Sequence, residues 1–254
     1  TFSLVSLGTE KMLVEFGSAS LISKARQQPE KVKQVIDKIK SDGILPTLEV
    51  IFRKLDEDIP LGYSNVGRII EVGPEVTEFA VGDRVVSNGC HAEFVSIPKN
   101  LVSKIPDDVS DMDASFTVLG SIGLQGVRLL KPQLGEVIVV FGLGLIGLLT
   151  CQILKANGCK VIGIDVDQDK CNLVKKFGVL TFNPSKDSLV SSVLNATEGV
   201  GSDGVMICAS SKSNNIISEA AKMSRKKGRI VLVGVVGLNI NRSDFYQKEL
   251  TFQV

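Results

Sequence analysis

The segment from Val137 to Asp165 constrains the fold more than any other part of the chain. Val137-Ile138-Val139-Val140-Phe141 is an unbroken apolar run that passes directly into Gly142-Leu143-Gly144-Leu145-Ile146-Gly147. Leu145, Leu148, Leu149 and Ile153 then follow helical spacing, and a second apolar run, Val161-Ile162-Gly163-Ile164, ends in Asp165. Asp165 stands 18 residues after Gly147 and 23 after Gly142. A bare GxGxxG is weak evidence. Strand, glycines, helix, strand and acidic residue in this order form the dinucleotide-binding fingerprint.

Each part of the fingerprint has a physical task. Gly142 permits the tight turn, Gly144 lets the backbone approach a pyrophosphate, and Gly147 allows close helix–strand packing. The free N–H groups near Leu145 and Ile146, at the positive end of a helix, are suited to hold the pyrophosphate. Asp165 is expected to accept hydrogen bonds from the adenosine ribose hydroxyls. A 2′-phosphate would set a dianion beside this carboxylate, and no Arg or Lys follows immediately to receive it, so the expected cofactor is NAD rather than NADP. Lys170 is the nearby cation; it can reach the ribose or serve only as a solvated helix residue.

The fingerprint opens a longer pattern. Strand-like, nearly continuous apolar runs at 137–141, 160–164, 179–182, 204–208, 229–233 and 250–254 alternate with helical stretches, the signature of a six-stranded, doubly wound parallel sheet. Runs this continuous fit strands covered by helices on both faces. A helix is expected over about 111–130, ahead of Pro132. The texture from Gly62 to Pro106 is different. Val66–Val72 and Arg84–Val86 are strand-like, Glu93–Ile97 alternates, and Gly73-Pro74, Gly82-Asp83 and Asn88-Gly89 punctuate them, which suggests a small β-barrel. Between residues 11 and 58 the periods are helical: Val32, Val35, Ile36 and Ile39, then Leu48, Ile51, Phe52 and Leu55. The chain therefore reads as an α/β protein of two domains, 1–119 and 120–254, with a helical insertion at about 11–58.

Composition narrows the partners. With 29 Lys+Arg against 28 Asp+Glu, the net charge of +1 offers no general attraction for nucleic acid or an acidic membrane. No apolar stretch is long enough to span a bilayer. The five cysteines, Cys90, Cys151, Cys159, Cys171 and Cys208, have irregular spacing and no CxxC pair. They fit reduced thiols in a cytoplasmic protein. His91 is the only histidine, which argues against a zinc centre of His and Cys ligands. A start at Thr1 without Met and a final strand-like Leu250–Val254 suggest a fragment whose N-terminal strands are missing.

With these features in place, the sequence resembles the medium-chain dehydrogenase/reductase superfamily, which includes the zinc alcohol dehydrogenases. Gly62-Tyr63-Ser64-Asn65-Val66-Gly67, Glu71-Val72-Gly73 and Val81-Gly82-Asp83-Arg84-Val85 match its catalytic-domain signature. Phe141-Gly142-Leu143-Gly144 with Asp165 matches its nucleotide site. The resemblance implies a GroES-like barrel joined to a Rossmann domain, with substrate and nicotinamide meeting between them. It also implies a nicotinamide site near Val233 and Val235, whose strand end would offer backbone groups to the carboxamide. More narrowly, the chain resembles the N-terminal module of bi-domain oxidoreductases through Leu4–Leu13, the helical insertion through Ile59, Ser87-Asn88-Gly89, Gly228–Gly237 and Asp244–Phe252. That likeness associates it with sugar and surface-polysaccharide metabolism.

The departures bear on mechanism. Leu7 stands where the zinc enzymes have a Cys, Tyr63 and Ser64 where they have His and Glu, and the third ligand position falls near Val118. The four-Cys structural lobe is absent too. The resemblance thus implies a zinc-free member, with no metal ligands, in which side chains or water handle the proton. Thr9 stands where the family has a Ser/Thr in its proton relay, or it caps a helix. Tyr63 donates through its hydroxyl or fills the zinc cavity. His91 is a third candidate, with a hydrogen-bonded structural role as the alternative, and Glu10 is expected to pair locally. Three functions remain open. They are an NAD-dependent oxidoreductase acting on a hydroxyl or carbonyl of a small molecule such as a sugar derivative, an NADPH-dependent quinone- or enoyl-type reductase, and a silent nucleotide-binding module. The apolar last strand suggests a homodimer joined through the sheet edge.

Overall fold

A computed structural model describes residues 2–19, 26, 32–33, 58–211, 213 and 215–254. The helical periods expected over Val32–Ile39 and Leu48–Leu55 fall almost wholly outside those residues. The chain divides into two units, Thr1–Phe116 and Thr117–Val254. The division comes three residues before the boundary expected from sequence, because Thr117 starts a helix belonging to the second unit.

In the first unit β1 (Phe2–Ser3), β2 (Asn65–Arg68), β3 (Arg84–Ser87) and β4 (Val102–Lys104) form an antiparallel sheet in the order β1-β2-β3-β4. Helix α1 (Leu7–Ser18) follows β1, and the short α2 (Asp111–Ala114) closes the unit. Val66, Val85 and Val86 are buried beneath the sheet. Gly73-Pro74 and Gly82-Asp83 make the turns read from sequence. Glu93–Ile97 is not a strand, contrary to its alternation: residues 91–94 bend, and Phe94 is exposed. Among the described residues no neighbouring strand accepts a ladder from it. The helix expected over 111–130 is also broken. Ser110 caps α2 by accepting from the Asp113 N–H, and the carbonyl of Ser115 is taken by the buried Ser64 hydroxyl at 2.6 Å. A carbonyl engaged from the side no longer anchors a continuous helical turn.

The second unit is a six-stranded parallel sheet in the order β10-β9-β8-β5-β6-β7. Its strands are β5 (Val137–Phe141), β6 (Lys160–Ile164), β7 (Leu180–Phe182), β8 (Ser202–Ile207), β9 (Ser224–Leu232) and β10 (Thr251–Gln253). Its helices are α3 (Thr117–Leu130), α4 (Leu145–Ala156), α5 (Gln168–Lys175), α6 (Leu189–Ala196), α7 (Asn215–Met223) and α8 (Arg242–Tyr246). Ile138 and Val140 pack with Val127 and Leu130 of α3 and with Cys151 and Leu154 of α4. Val139 and Phe141 face the opposite layer, with Val193 of α6 and Ile217 and Ala221 of α7. Both faces are dry, which is why β5 reads as a continuous apolar run; each such side chain contributes about 1.5–3 kcal/mol by leaving water. β5 neighbours both β6 and β8, so the strand order reverses beside it, the switch point at whose carboxyl ends doubly wound sheets bind ligands.

Candidate functional site

Gly142 follows β5 at that switch point with φ of +85°, and a Cβ on it would lie 2.6 Å from the backbone of Ala209. Gly147, in the first turn of α4, has no room either: a Cβ would stand 1.8 Å from the carbonyl oxygen of Gly142. Gly144 differs. It holds the N-cap position of α4 without a side-chain cap, and a Cβ there would meet nothing within 4 Å. Two glycines are thus demanded by packing. The third borders open space at a helix N-terminus, where Leu145 and Ile146 present first-turn N–H groups with no side-chain acceptor. The positive end of α4 and this bare backbone form a cradle for an anion.

Asp165 is buried and grips the loop. Its Oδ2 accepts from the Leu143 N–H at 2.7 Å and its Oδ1 from the Asp167 N–H at 2.9 Å. Sequence reasoning gave this carboxylate only to a ribose. In the structure it first fixes the turn, and each oxygen retains lone-pair capacity for a further donor. Lys170 lies 3.9 Å from Asp165 Oδ1 and 3.7 Å from Asp167 Oδ2, one ammonium between two carboxylates. The residues Gly142, Gly144, Leu145, Ile146, Gly147, Asp165 and Lys170 therefore come together as the fingerprint implied, and their arrangement fits a dinucleotide.

Val233 and Val235 lie just past β9, on the same rim. Ala209 is wedged between two glycines there, for a Cβ on Gly234 would stand 2.1 Å from the Ala209 carbonyl oxygen. The Val233 N–H donates to Ile207, the Val235 N–H to Ala209, and the Val235 carbonyl accepts from Ser211. Val235 is left with an exposed side chain and one carbonyl lone pair. Sequence reasoning missed the role of Ala209; its small neighbours, Cys208 and Ser210, were the available signal.

The other candidates lie in the first unit. Thr9 falls inside the first turn of α1, half-buried, and makes no hydrogen bond among the described residues. The Tyr63 hydroxyl donates to Ser6 Oγ at 2.9 Å. Ser64 is 1% exposed and committed to Ser115. His91 is not isolated: its Nε2 lies 2.9 Å from Glu10 Oε2, and Glu10 Oε1 accepts from the Ser6 N–H at 2.7 Å. Glu10 thus pairs both locally and across 81 residues, a partnership that sequence spacing does not encode. Its burial, at 7% exposure, marks it as more than a surface carboxylate.

Zinc needs three or four converging His, Cys or carboxylate ligands. Leu7, Tyr63 and Ser64 supply none, and no cluster of three such groups occurs among the described residues. Among the described residues the donor set does not fit zinc. All five thiols are free, and burial pushes Cys151 up to about 12 and Cys208 up to about 11, so neither is an activated nucleophile at neutral pH.

Comparison with known proteins agrees with this architecture. Residues 34–107 match the alcohol dehydrogenase GroES-like domain, and residues 146–254 match the zinc-binding dehydrogenase family. The chain is 26% identical to (R,R)-butanediol dehydrogenase of Bacillus subtilis over 225 residues, covering 76% of this chain and 64% of that one. It is 28% identical to sorbitol dehydrogenase 1 of Saccharomyces cerevisiae over 214 residues, covering 69% and 59%. Among solved structures, a quinone oxidoreductase of Pseudomonas syringae superposes with a TM-score of 0.67 at 26% identity, covering 76% of this chain and 62% of that one. The chain spans less than two thirds of the length of these relatives.

Proposed function

This chain belongs to the medium-chain dehydrogenase/reductase superfamily, and from that premise we propose that it serves a zinc-independent oxidoreductase passing a hydride between NAD(H) and a hydroxyl or carbonyl substrate. The observation that carries the reading is the loop at the end of β5. Gly144 borders open space at an uncapped helix N-terminus, while Asp165 locks the adjoining turn.

In this reading the first-turn N–H groups of α4 hold the pyrophosphate, and Asp165 keeps the turn in shape while receiving a ribose hydroxyl. Lys170 steadies the two neighbouring carboxylates. A bound nicotinamide supplies the hydride acceptor or donor. The end of β9, at Val233 and Val235, borders the carboxamide. Relatives named for butanediol and sorbitol favour a substrate with adjacent hydroxyl groups, such as a polyol or sugar derivative. No step runs through zinc in this reading, because the donor set among the described residues does not fit it.

A second reading, an NADPH-dependent reductase, is favoured by the likeness to a quinone oxidoreductase. Asp165 and Asp167 oppose it, since Lys170 is one positive charge against two negative ones and a 2′-phosphate would add about two more. Parallel fluorescence titrations of NADH and NADPH against the full protein, stripped of metal by a chelator, decide the matter. NADH tighter by about tenfold, or 1.4 kcal/mol, is expected; tighter NADPH overturns the NAD reading. Turnover that survives the chelator is the expected result for zinc independence, and loss restored by zinc overturns it.

A further inference from the structure

Asp165, Val166 and Asp167 form the turn that leads out of β6, and each of their three carbonyls is held by a group outside the turn. The buried Cys171 thiol of α5 donates to the Asp165 carbonyl at 3.4 Å, and the Cys171 N–H donates to the Asp167 carbonyl at 3.2 Å. The middle carbonyl, that of Val166, has a more distant partner. Asn183, just past β7 and 17 residues on, donates to it through Nδ2 at 3.0 Å. The Val166 side chain is 70% exposed, so it has little packing of its own to fix the turn. Its carbonyl is the anchor.

Asn183 is itself held on every side. It is 5% exposed, and its Oδ1 accepts from the Ser185 N–H at 2.9 Å, which leaves Nδ2 as the atom facing Val166. The second Nδ2 hydrogen faces Gln168 Oε1 at 3.5 Å, and the main-chain N–H donates to Asp187 Oδ2 at 2.7 Å. Pro184 follows and keeps Asn183 out of the helical region. A buried amide is costly unless it is hydrogen-bonded, and this one is bonded at both its oxygen and its nitrogen.

The bond to Val166 reaches further than the turn. The Val166 carbonyl and the Asp167 N–H belong to one peptide unit, which is planar and rigid, with the two groups pointing to opposite sides. Asn183 grips the carbonyl of that unit. On its other side the Asp167 N–H donates to Asp165 Oδ1 at 2.9 Å, while Asp165 Oδ2 accepts from the Leu143 N–H at 2.7 Å. Rotation of the peptide would therefore release one oxygen of the carboxylate, and the amide of Asn183 opposes that rotation.

We propose that Asn183 is a positioning residue for the ribose of a bound dinucleotide, acting on Asp165 through the Val166–Asp167 peptide. The assignment rests on the reading above in which Asp165 receives a ribose hydroxyl. Asn183 touches no cofactor; it sets the place of Oδ1, and so sharpens the choice between a ribose hydroxyl and a 2′-phosphate.

The test is a double-mutant cycle on the full protein, with NADH and NADPH titrated by fluorescence. Asn183→Ala is expected to weaken NADH by about fivefold or more and NADPH by less, so that the preference narrows. Added to Asp165→Asn it should cost no more than about a further twofold, because both changes remove one interaction. Asn183→Ser, whose hydroxyl can accept from the Ser185 N–H but is too short for the Val166 carbonyl, should behave alike and serves if the alanine variant does not fold. Asp187→Ala loosens the same loop from its other side. It should lower the melting temperature while NADH affinity stays within about twofold. Equal weakening of both nucleotides, independent effects in the cycle, or an Asp187→Ala variant as weak as Asn183→Ala overturns the positioning role alone. Asp165→Asn that binds NADH like the wild type overturns the ribose reading beneath it, and a wild type that binds neither nucleotide overturns the dinucleotide site.

Discussion

The Leu143 N–H donates to the Asp165 carboxylate at 2.7 Å, tying the glycine turn after β5 to the end of β6 across 22 residues. One side chain therefore both shapes the anion cradle and faces its ligand. Asp165→Asn tests the two roles together. An amide has one carbonyl oxygen, so it can serve Leu143 or Asp167 but not both, and its NH₂ must face a backbone donor. Stability is expected to fall by about 1–3 kcal/mol in chemical denaturation, and NADH affinity by about tenfold in fluorescence titration. Loss of affinity without loss of stability would mean that the bond to Leu143 contributes nothing to the fold.

Gly144 and Gly147 make opposite predictions three residues apart. Gly144 has φ of −66°, open to any L residue, and free space where a Cβ would go. Gly144→Ala should melt within about 2 °C of the wild type yet bind NADH at least about tenfold more weakly, because the methyl occupies the approach to the pyrophosphate. Gly147→Ala should lose about 3 kcal/mol or more, since its methyl would strike the rigid carbonyl of Gly142. Thermal unfolding and NADH titration of both variants check this. Equal effects of the two substitutions on stability would refute the division of labour.

What was legible in the sequence follows the physics of burial. β5 and β6 occupy the expected 137–141 and 160–164 because, past the exposed Lys160, both faces of each strand are dry and the run is apolar. β9 starts at Ser224, five residues ahead of the start expected at Arg229, because its first part is polar and passes through Lys227 at φ of +60°. Glu93–Ile97 alternates but lacks a neighbour among the described residues, and alternation without a partner gives no ladder. The break at Ser115 depends on a hydroxyl 51 residues away, and the Glu10–His91 pair on a contact across 81 residues. Local patterns carry no record of such pairs.

Ser64, which the sequence resemblance sets where the zinc members of the superfamily hold a ligand, is fully buried and donates to the Ser115 carbonyl at 2.6 Å. Ser64→Ala should therefore destabilise the protein by about 1–2 kcal/mol and leave NADH affinity and kcat in place. A denaturation curve and steady-state kinetics suffice. Lost turnover at unchanged stability would give Ser64 a chemical task that the structure does not.

The raised thiol ionisations of Cys151 and Cys208 set a sign for stability at high pH. Burial lifts Cys151 to about 12, with the neighbouring Cys208 adding to it, and burial lifts Cys208 to about 11, against an ordinary thiol near 9. Above pH 9 the unfolded chain gives up these protons while the folded chain keeps them. The unfolded state then binds fewer protons, and unfolding free energy falls as pH rises. This contribution is whole below pH 9 and is lost progressively through about pH 11–12. Denaturation midpoints measured at pH 8 and pH 10.5 should drop more in the wild type than in Cys151→Ala; equal drops would remove the thiol from the account.

The edge strand β10 carries a prediction about assembly. Thr251–Gln253 pairs in parallel with β9 alone, and Phe252 is drawn inward against Phe245, ring centroids 6.1 Å apart and edge to face. Thr251 and Gln253 are exposed, so the strand's outer edge presents backbone donors and acceptors that have no ladder partner among the described residues. Such an edge is a template for another strand. A second copy, related by a two-fold axis, would pair β10 with β10 and make one sheet from two. Light scattering of the full protein should give twice the chain mass, and Thr251→Lys with Gln253→Lys should shift it toward the monomer by setting like charges across the seam. A monomeric wild type refutes the dimer; a dimer indifferent to both lysines moves the interface away from β10.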